Sequence, residues 1–233
     1  MREKLIYILI ISILFASCDF TSADEYYNRA IELDKQGKHN EAIILLDKAI
    51  DKKHNFRPAL LNRGVYKSEL ENFKEGIIDY NKILEFDSDN TYALFNIGNN
   101  YSSLNDSKNA ITYYSKALKT KGALKTTNGG MVIRTNFDFK RFDSDMDYEM
   151  FDCEIYFERG LEFLKIKEFD KAISDINKSL KAKNAVMDCY FLLGEAYVGK
   201  KDSINACDNF IKSAKLGDKE AREMLKKHCI KKE

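Results

Sequence analysis

Proline is almost absent from this chain of 233 residues, which has one, and tryptophan is absent altogether. So few helix breakers point to long helices with few sharp turns. Histidine is scarce too. His39, His54 and His228 form no metalloprotease motif, and the neighbours His228 and Cys229 would point to different faces of a helix, which is poor zinc geometry. There is no phosphate-cradling glycine loop and no nucleophile elbow. Excess charge of either sign is also missing, the formal net charge being +1. A neutral body lacks the basic footprint of a nucleic-acid binder, and the cluster Lys226, Lys227, Lys231 and Lys232 reads as the charged end of a helix. No catalytic residue, metal, cofactor or nucleic-acid partner is expected. Apolar residues at 44% and charged residues at 32% instead fit a folded, helical body.

A long apolar run is lacking as well. Leu5 to Ala16, broken only by Ser12, is about 12 residues, short of the roughly 20 a membrane-spanning helix needs. Preceded by Arg2 and Lys4 and followed by small residues, it reads as a secretory signal at 1–17. The end of that run, LFASC at 14–18, resembles the lipobox of bacterial lipoproteins, with Phe15 in place of the usual leucine. That resemblance implies that Cys18 is lipidated, carries palmitate-type acyl chains and becomes the first residue of the mature chain. Several acyl chains give stable anchoring where one does not. The implied location is the bacterial cell envelope, with the outer membrane favoured over the inner and the leaflet left open. A tether at 18–22 would hold the folded part close to the bilayer.

Self-comparison shows a period. Ala42, Gly76 and Ala110 are 34 apart, as are Ala172 and Ala206. Twelve residues before each stands another small one (Ala30, Gly64, Gly98, Gly160, Gly194), and four after each a large apolar one (Leu46, Tyr80, Tyr114, Ile176, Phe210). This pattern resembles the tetratricopeptide repeat, a helix-turn-helix unit. The resemblance implies an all-α fold, an α-solenoid of about five repeats: three over 23–121, two over 153–218, then a capping helix and tail at 219–233. Small residues are expected where the helices of a pair cross, and large ones in the gap between neighbouring pairs. The proline that usually closes each unit is missing, and Lys67 stands where an aromatic or leucine is usual.

The resemblance also implies a concave groove lined by the fifth and sixth residues of each unit. The fifth are Tyr27, Leu61, Phe95, Phe157 and Phe191; the sixth are Asn28, Asn62, Asn96, Glu158 and Leu192. Rings beside amides suit an extended peptide, since an amide offers both donor and acceptor. The alternative is that the large fifth residues pack against neighbouring turns. The inner positions lack the cations needed to clamp a C-terminal carboxylate.

Ala110 and Ala172 are 62 apart, 28 more than one period, so an insertion lies at 122–152. Asn128–Gly130 is a turn signal. The alternation of Met131, Ile133, Thr135, Phe137 and Phe139 with polar neighbours predicts a strand or hairpin arm. Asp143 to Glu154 has acids at calcium-loop spacing but Tyr148 where that loop needs glycine. These acids read more simply as solvated groups favouring the start of the next helix, and acids elsewhere as solvated helix faces. Cys153, Cys189, Cys207 and Cys229 lack a framework spacing; free, mostly buried thiols are expected. The function that follows is a membrane-anchored scaffold binding a partner protein or extended peptide in the groove, with no enzyme activity. The alternative is a small-ligand or calcium-binding module centred on 122–154.

Overall fold

The structure, a computed structural model, describes residues 20–126 and 149–229. Cys18, the alternating stretch 131–140, the acids at 143–148 and Ile230 lie outside the described residues. Eleven helices occupy the described part: α1 (Ala23–Asp34), α2 (His39–Lys52), α3 (Arg57–Glu69), α4 (Phe73–Phe86), α5 (Thr91–Ser103), α6 (Ser107–Ala117), α7 (Asp152–Lys165), α8 (Phe169–Lys181), α9 (Val186–Gly199), α10 (Ser203–Lys215) and α11 (Lys219–His228). Between α6 and α7 lie two short strands, β1 (Ala123–Leu124) and β2 (Met150–Phe151). The chain divides into two compact units, the first ending at Arg63 and the second running from Gly64.

In both units the 34-residue grammar is a packing rule. In the second unit, a Cβ added at Gly98 would lie 2.5 Å from the ring of Tyr114, and one at Gly64 2.7 Å from that of Tyr80. Gly194 faces Phe210 and Gly160 faces Ile176 in the same way. The large residue of each pair therefore presses first on the small residue of its own hairpin, not only on the next pair as the spacing suggested. Tyr114 does both, since Leu94, Ala110, Ala117 and Ile155 of α7 share its buried cluster. In the first unit the corresponding residues are Ala30 and Leu46, both fully buried. Burying one such side chain contributes about 2–3 kcal/mol, which no hairpin collects without its neighbours.

Helices of the second unit pack in chain order, and among the first helices of successive pairs α7 also touches both α5 and α9. At the end, Ala221 of α11 is buried against Ala206 and Phe210, with Met224 and Leu225 partly buried beside them. α11 caps the array.

The turn inside every pair uses one device. Gly37, Glu71, Asn105, Lys167 and Lys201, all at the fifteenth position of the repeat, have φ between 58° and 71°. The next amide then bonds back to the first helix, as in Asp202 N–H to the Tyr197 carbonyl (2.9 Å) and Asn72 N–H to that of Lys67 (2.8 Å). Only Gly37 is free of a Cβ in this left-handed conformation. Lys201→Gly is therefore expected to raise stability by about 1 kcal/mol, the relief of left-handed strain less the entropy glycine adds to the unfolded chain. A urea titration checks this; a lower midpoint would contradict it.

Acids expected to be solvated are in part buried. Asp79 is fully buried and pairs with Lys67 (2.8 Å), which accounts for a lysine where a large apolar residue is usual. Asp175 is buried between Arg159 (2.7 Å) and Lys178 (3.1 Å). Glu162 is 1% exposed and accepts from Ser102 (2.6 Å) and Lys165 (2.5 Å). Of the four later cysteines, Cys153 and Cys189 are free and buried, whereas Cys207 of α10 is bonded to Cys229. The expectation of free thiols fails for that pair because the α10–α11 turn brings their Cα atoms to 5.7 Å.

The insertion is pinned at both ends. β1 and β2 pair in parallel, Ala123 with Met150 and Leu124 with Phe151. Thr126 donates to Asp152 Oδ1 through its amide (3.0 Å) and its hydroxyl (2.5 Å). Asp152 opens α7, so its carboxylate also complements the helix dipole. α6 and α7 pack together despite the residues between them.

Candidate interaction face

In the first unit, Tyr27 is half-buried, its ring 5.4 Å from that of Phe56, and its hydroxyl accepts from the Asn62 amide (3.1 Å). Leu61 is 4% exposed. Its side chain is core rather than groove wall, which corrects its place among the peptide-contacting positions. Asn28 is exposed and lines an open cleft of about 630 Å³ with Glu25, Arg29 and Leu45.

In the second unit, Phe95, Phe157 and Phe191 come from α5, α7 and α9, the three first helices that touch in succession. All three are half-buried. Part of each ring is committed to packing: Phe95 against Tyr114 (5.7 Å between centroids), Phe191 against Phe210 (5.8 Å), and Phe157 on the cluster of Ala172, Ile176 and Leu193. Asn96 donates to the Tyr92 carbonyl one turn earlier (2.9 Å). The structure thus brings Phe95, Asn96, Phe157 and Phe191 onto neighbouring helices with ring surface still exposed, and leaves Leu192 buried. Packing and exposure coexist at these positions; the two readings open from the sequence are not exclusive.

The feature missed in the sequence is electrostatic. Glu154 and Glu158 lie one turn apart on α7, flanking Phe157, and Glu195 lies one turn after Phe191 on α9. Burial pushes the carboxyl of each above its ordinary range. Glu158 is raised further by the charges of Glu162 and Glu154 against a smaller pull from Lys165, and Glu195 by Glu220. Glu162 behaves oppositely: burial raises it, but the hydrogen bonds from Lys165 and Ser102 outweigh that and hold it below the usual range. The signal in the sequence was present, since Glu158 occupies the sixth position where three other units have asparagine, but its lack of a partner could not be read.

Glu154 also borders a cleft of about 300 Å³ at the foot of the insertion, with Thr126, Cys153, Lys183 and Asn184. Burial raises the Cys153 thiol there and, outside the cleft lining, the Cys189 thiol to about 11. They are protonated at neutral pH and poor nucleophiles. Among the described residues no group of three or more His, Cys, Asp or Glu could hold a metal ion, and no helix is long and apolar enough to cross a membrane.

The tetratricopeptide repeat family model matches residues 91–123 and 154–185. Tetratricopeptide repeat protein 37 of Xenopus laevis is 30% identical over 73 residues, which are 31% of this chain and 5% of that protein. The match therefore spans a small part of that relative. Among solved structures, YrrB, described as a tetratricopeptide protein with an unusual peptide-binding site, superposes with a TM-score of 0.67 at 19% identity, over 88% of this chain and 92% of that one. A MamA protein gives 0.66 at 18%, over 91% and 97%, and MamA from residue 41 onward of Desulfovibrio magneticus RS-1 gives 0.67 at 16%, over 83% and 94%. At these identities the likeness is one of fold. Two stretches of the chain thus match the tetratricopeptide repeat, and the fold is a tetratricopeptide-type α-solenoid.

Proposed function

We propose that this chain is a lipid-anchored scaffold of the bacterial cell envelope that binds a partner protein or extended peptide on the inner face of its repeats. The observation that carries the binding part is the row of half-exposed rings, Phe95, Phe157 and Phe191, on three helices of which α7 touches both α5 and α9. Aromatic rings held partly open by packing supply rigid contact area at low entropic cost. YrrB, of the same fold, is described with a peptide-binding site, which supports a peptide as occupant here. The anchoring part rests on Cys18 after its short apolar run. The Cys207–Cys229 bond supports it, since disulfides persist in oxidising compartments. The outer membrane is the favoured site of anchoring.

Cells grown with labelled palmitate and then crosslinked test both parts. Wild type is expected to carry label and to retain partners in detergent extracts. Cys18→Ser loses the label. Phe157→Ala retains it but loses the crosslinked partners, with thermal unfolding measured alongside to show that the fold persists. Equal labelling of wild type and Cys18→Ser sinks the anchor, and unchanged partners in Phe157→Ala sink the groove.

A further inference from the structure

We propose that the peptide received on the α5–α7–α9 face is cationic, with lysine or arginine side chains seated over Glu154, Glu158 and Glu195. This deepens the groove reading above and rests on it. Three residues before the rings of Phe95, Phe157 and Phe191 stand Tyr92, Glu154 and Asp188, one after the first two stand Asn96 and Glu158, and four after the third stands Glu195. None of these is a cation, in a chain whose acidic and basic side chains are otherwise balanced.

The three glutamates take part in no salt bridge among the described residues, whereas the buried acids Asp79, Glu162 and Asp175 all do. The cation nearest in effect to Glu158 is Lys165, and its ammonium is held by Glu162 (2.5 Å) and Ser102 (3.1 Å). The neighbour whose charge Glu195 feels is another acid, Glu220. The charge of Glu162 adds to the negative potential at Glu158. A half-buried carboxylate without a counter-ion is costly to the free protein, and an incoming ammonium or guanidinium removes that cost while the rings beside it pack on the ligand's apolar parts. Glu154 and Glu158, four residues and so about 6 Å apart along the helix, can both reach one cation placed between them. An acidic or neutral peptide leaves all three unpaired. Charge complementarity on an aromatic face therefore selects sign.

Three fluorescein-labelled extended peptides of equal length, alternating leucine with lysine, with glutamine or with glutamate, test this against the full chain in detergent by fluorescence anisotropy. The leucine–lysine peptide is expected to bind about tenfold more tightly than the leucine–glutamine one, and the gap to close as salt is raised. Combined replacement E154Q, E158Q and E195Q is expected to abolish the preference, leave the leucine–glutamine peptide unchanged, and leave the thermal midpoint the same or higher. A merely structural role for these glutamates would lower it. Equal binding of the three peptides, or a preference that survives the triple replacement, overturns the cationic assignment while the groove itself stands on the crosslinking result. No binding of the leucine–lysine peptide overturns it as well. The chain has a cationic aromatic segment of its own, Phe139 to Phe142 with Lys140 and Arg141. Much tighter peptide binding in a Lys140→Gln, Arg141→Gln variant would assign the face to that segment and overturn the assignment to a partner.

Discussion

Replacing Gly98 with alanine will cost the fold about 3 kcal/mol, at the upper end for overpacking a core. On an exposed helix the same change would be worth about 1 kcal/mol in the stabilising direction, because alanine propagates a helix better than glycine. The sign reverses because the new methyl would stand 2.5 Å and 2.6 Å from two ring carbons of Tyr114. That ring is fully buried, and its hydroxyl is fixed by donation to Asn99 (2.8 Å). It has nowhere to move. Against a typical total stability of roughly 5–15 kcal/mol, such a loss is visible as a large drop in urea midpoint. Tyr114→Leu added to Gly98→Ala should restore part of the loss, since the first pair already combines alanine with leucine at Ala30 and Leu46. A coupling energy above about 1 kcal/mol between the two changes is expected. Additive effects would show that the helix pair does not cross at this point.

The second large effect is expected at the C-terminal helix pair and its cap. Breaking the Cys207–Cys229 bond, by Cys207→Ser or by reductant, should cost about 3 kcal/mol by loop closure over its 22-residue separation. The loss should concentrate in α11, whose only fully buried residue is Ala221. With so little apolar surface, ten residues of helix cannot dock firmly by burial alone. Hydrogen exchange is the sensitive measurement: amides at 219–228 should lose protection first, those of α7 and α8 last. If reductant leaves the exchange of 219–228 unchanged, Asp218 is the real anchor, through its bonds to Ser213 and to the amides of Glu220 and Ala221.

Helix pairs, their register and the place of the insertion were legible because each depends on residue size recurring at fixed spacing. Gly98 with Tyr114 and Gly194 with Phe210 are sequence facts before they are contacts. The left-handed turn residue was not legible at Glu71, Lys167 or Lys201, because three bulky residues accept there a strain that glycine would have announced. Buried Asp79, Asp175 and Glu162 were hidden for a related reason: a charged residue on a helix looks the same in sequence whether water or a lysine faces it. Pairing of Cys207 with Cys229 depends on how α10 turns into α11, which no spacing encodes. At the fifth and sixth repeat positions, the recurrence of the rings Phe95, Phe157 and Phe191 was readable from their register. Leu61 and Leu192 were not, since the extent of exposure at one register position depends on what the adjacent helix places beside it.

The parallel sense of β1 and β2 sets a minimum length on the insertion. Antiparallel neighbours can be joined by two residues, whereas a parallel return must carry the chain back to the start of the second strand and needs about a dozen. The pairing of Ala123 with Met150 therefore makes this segment tolerant of elongation but not of deep trimming. A chain shortened below that limit would have to give up the strand pair, and with it the Thr126–Asp152 clasp that opens α7.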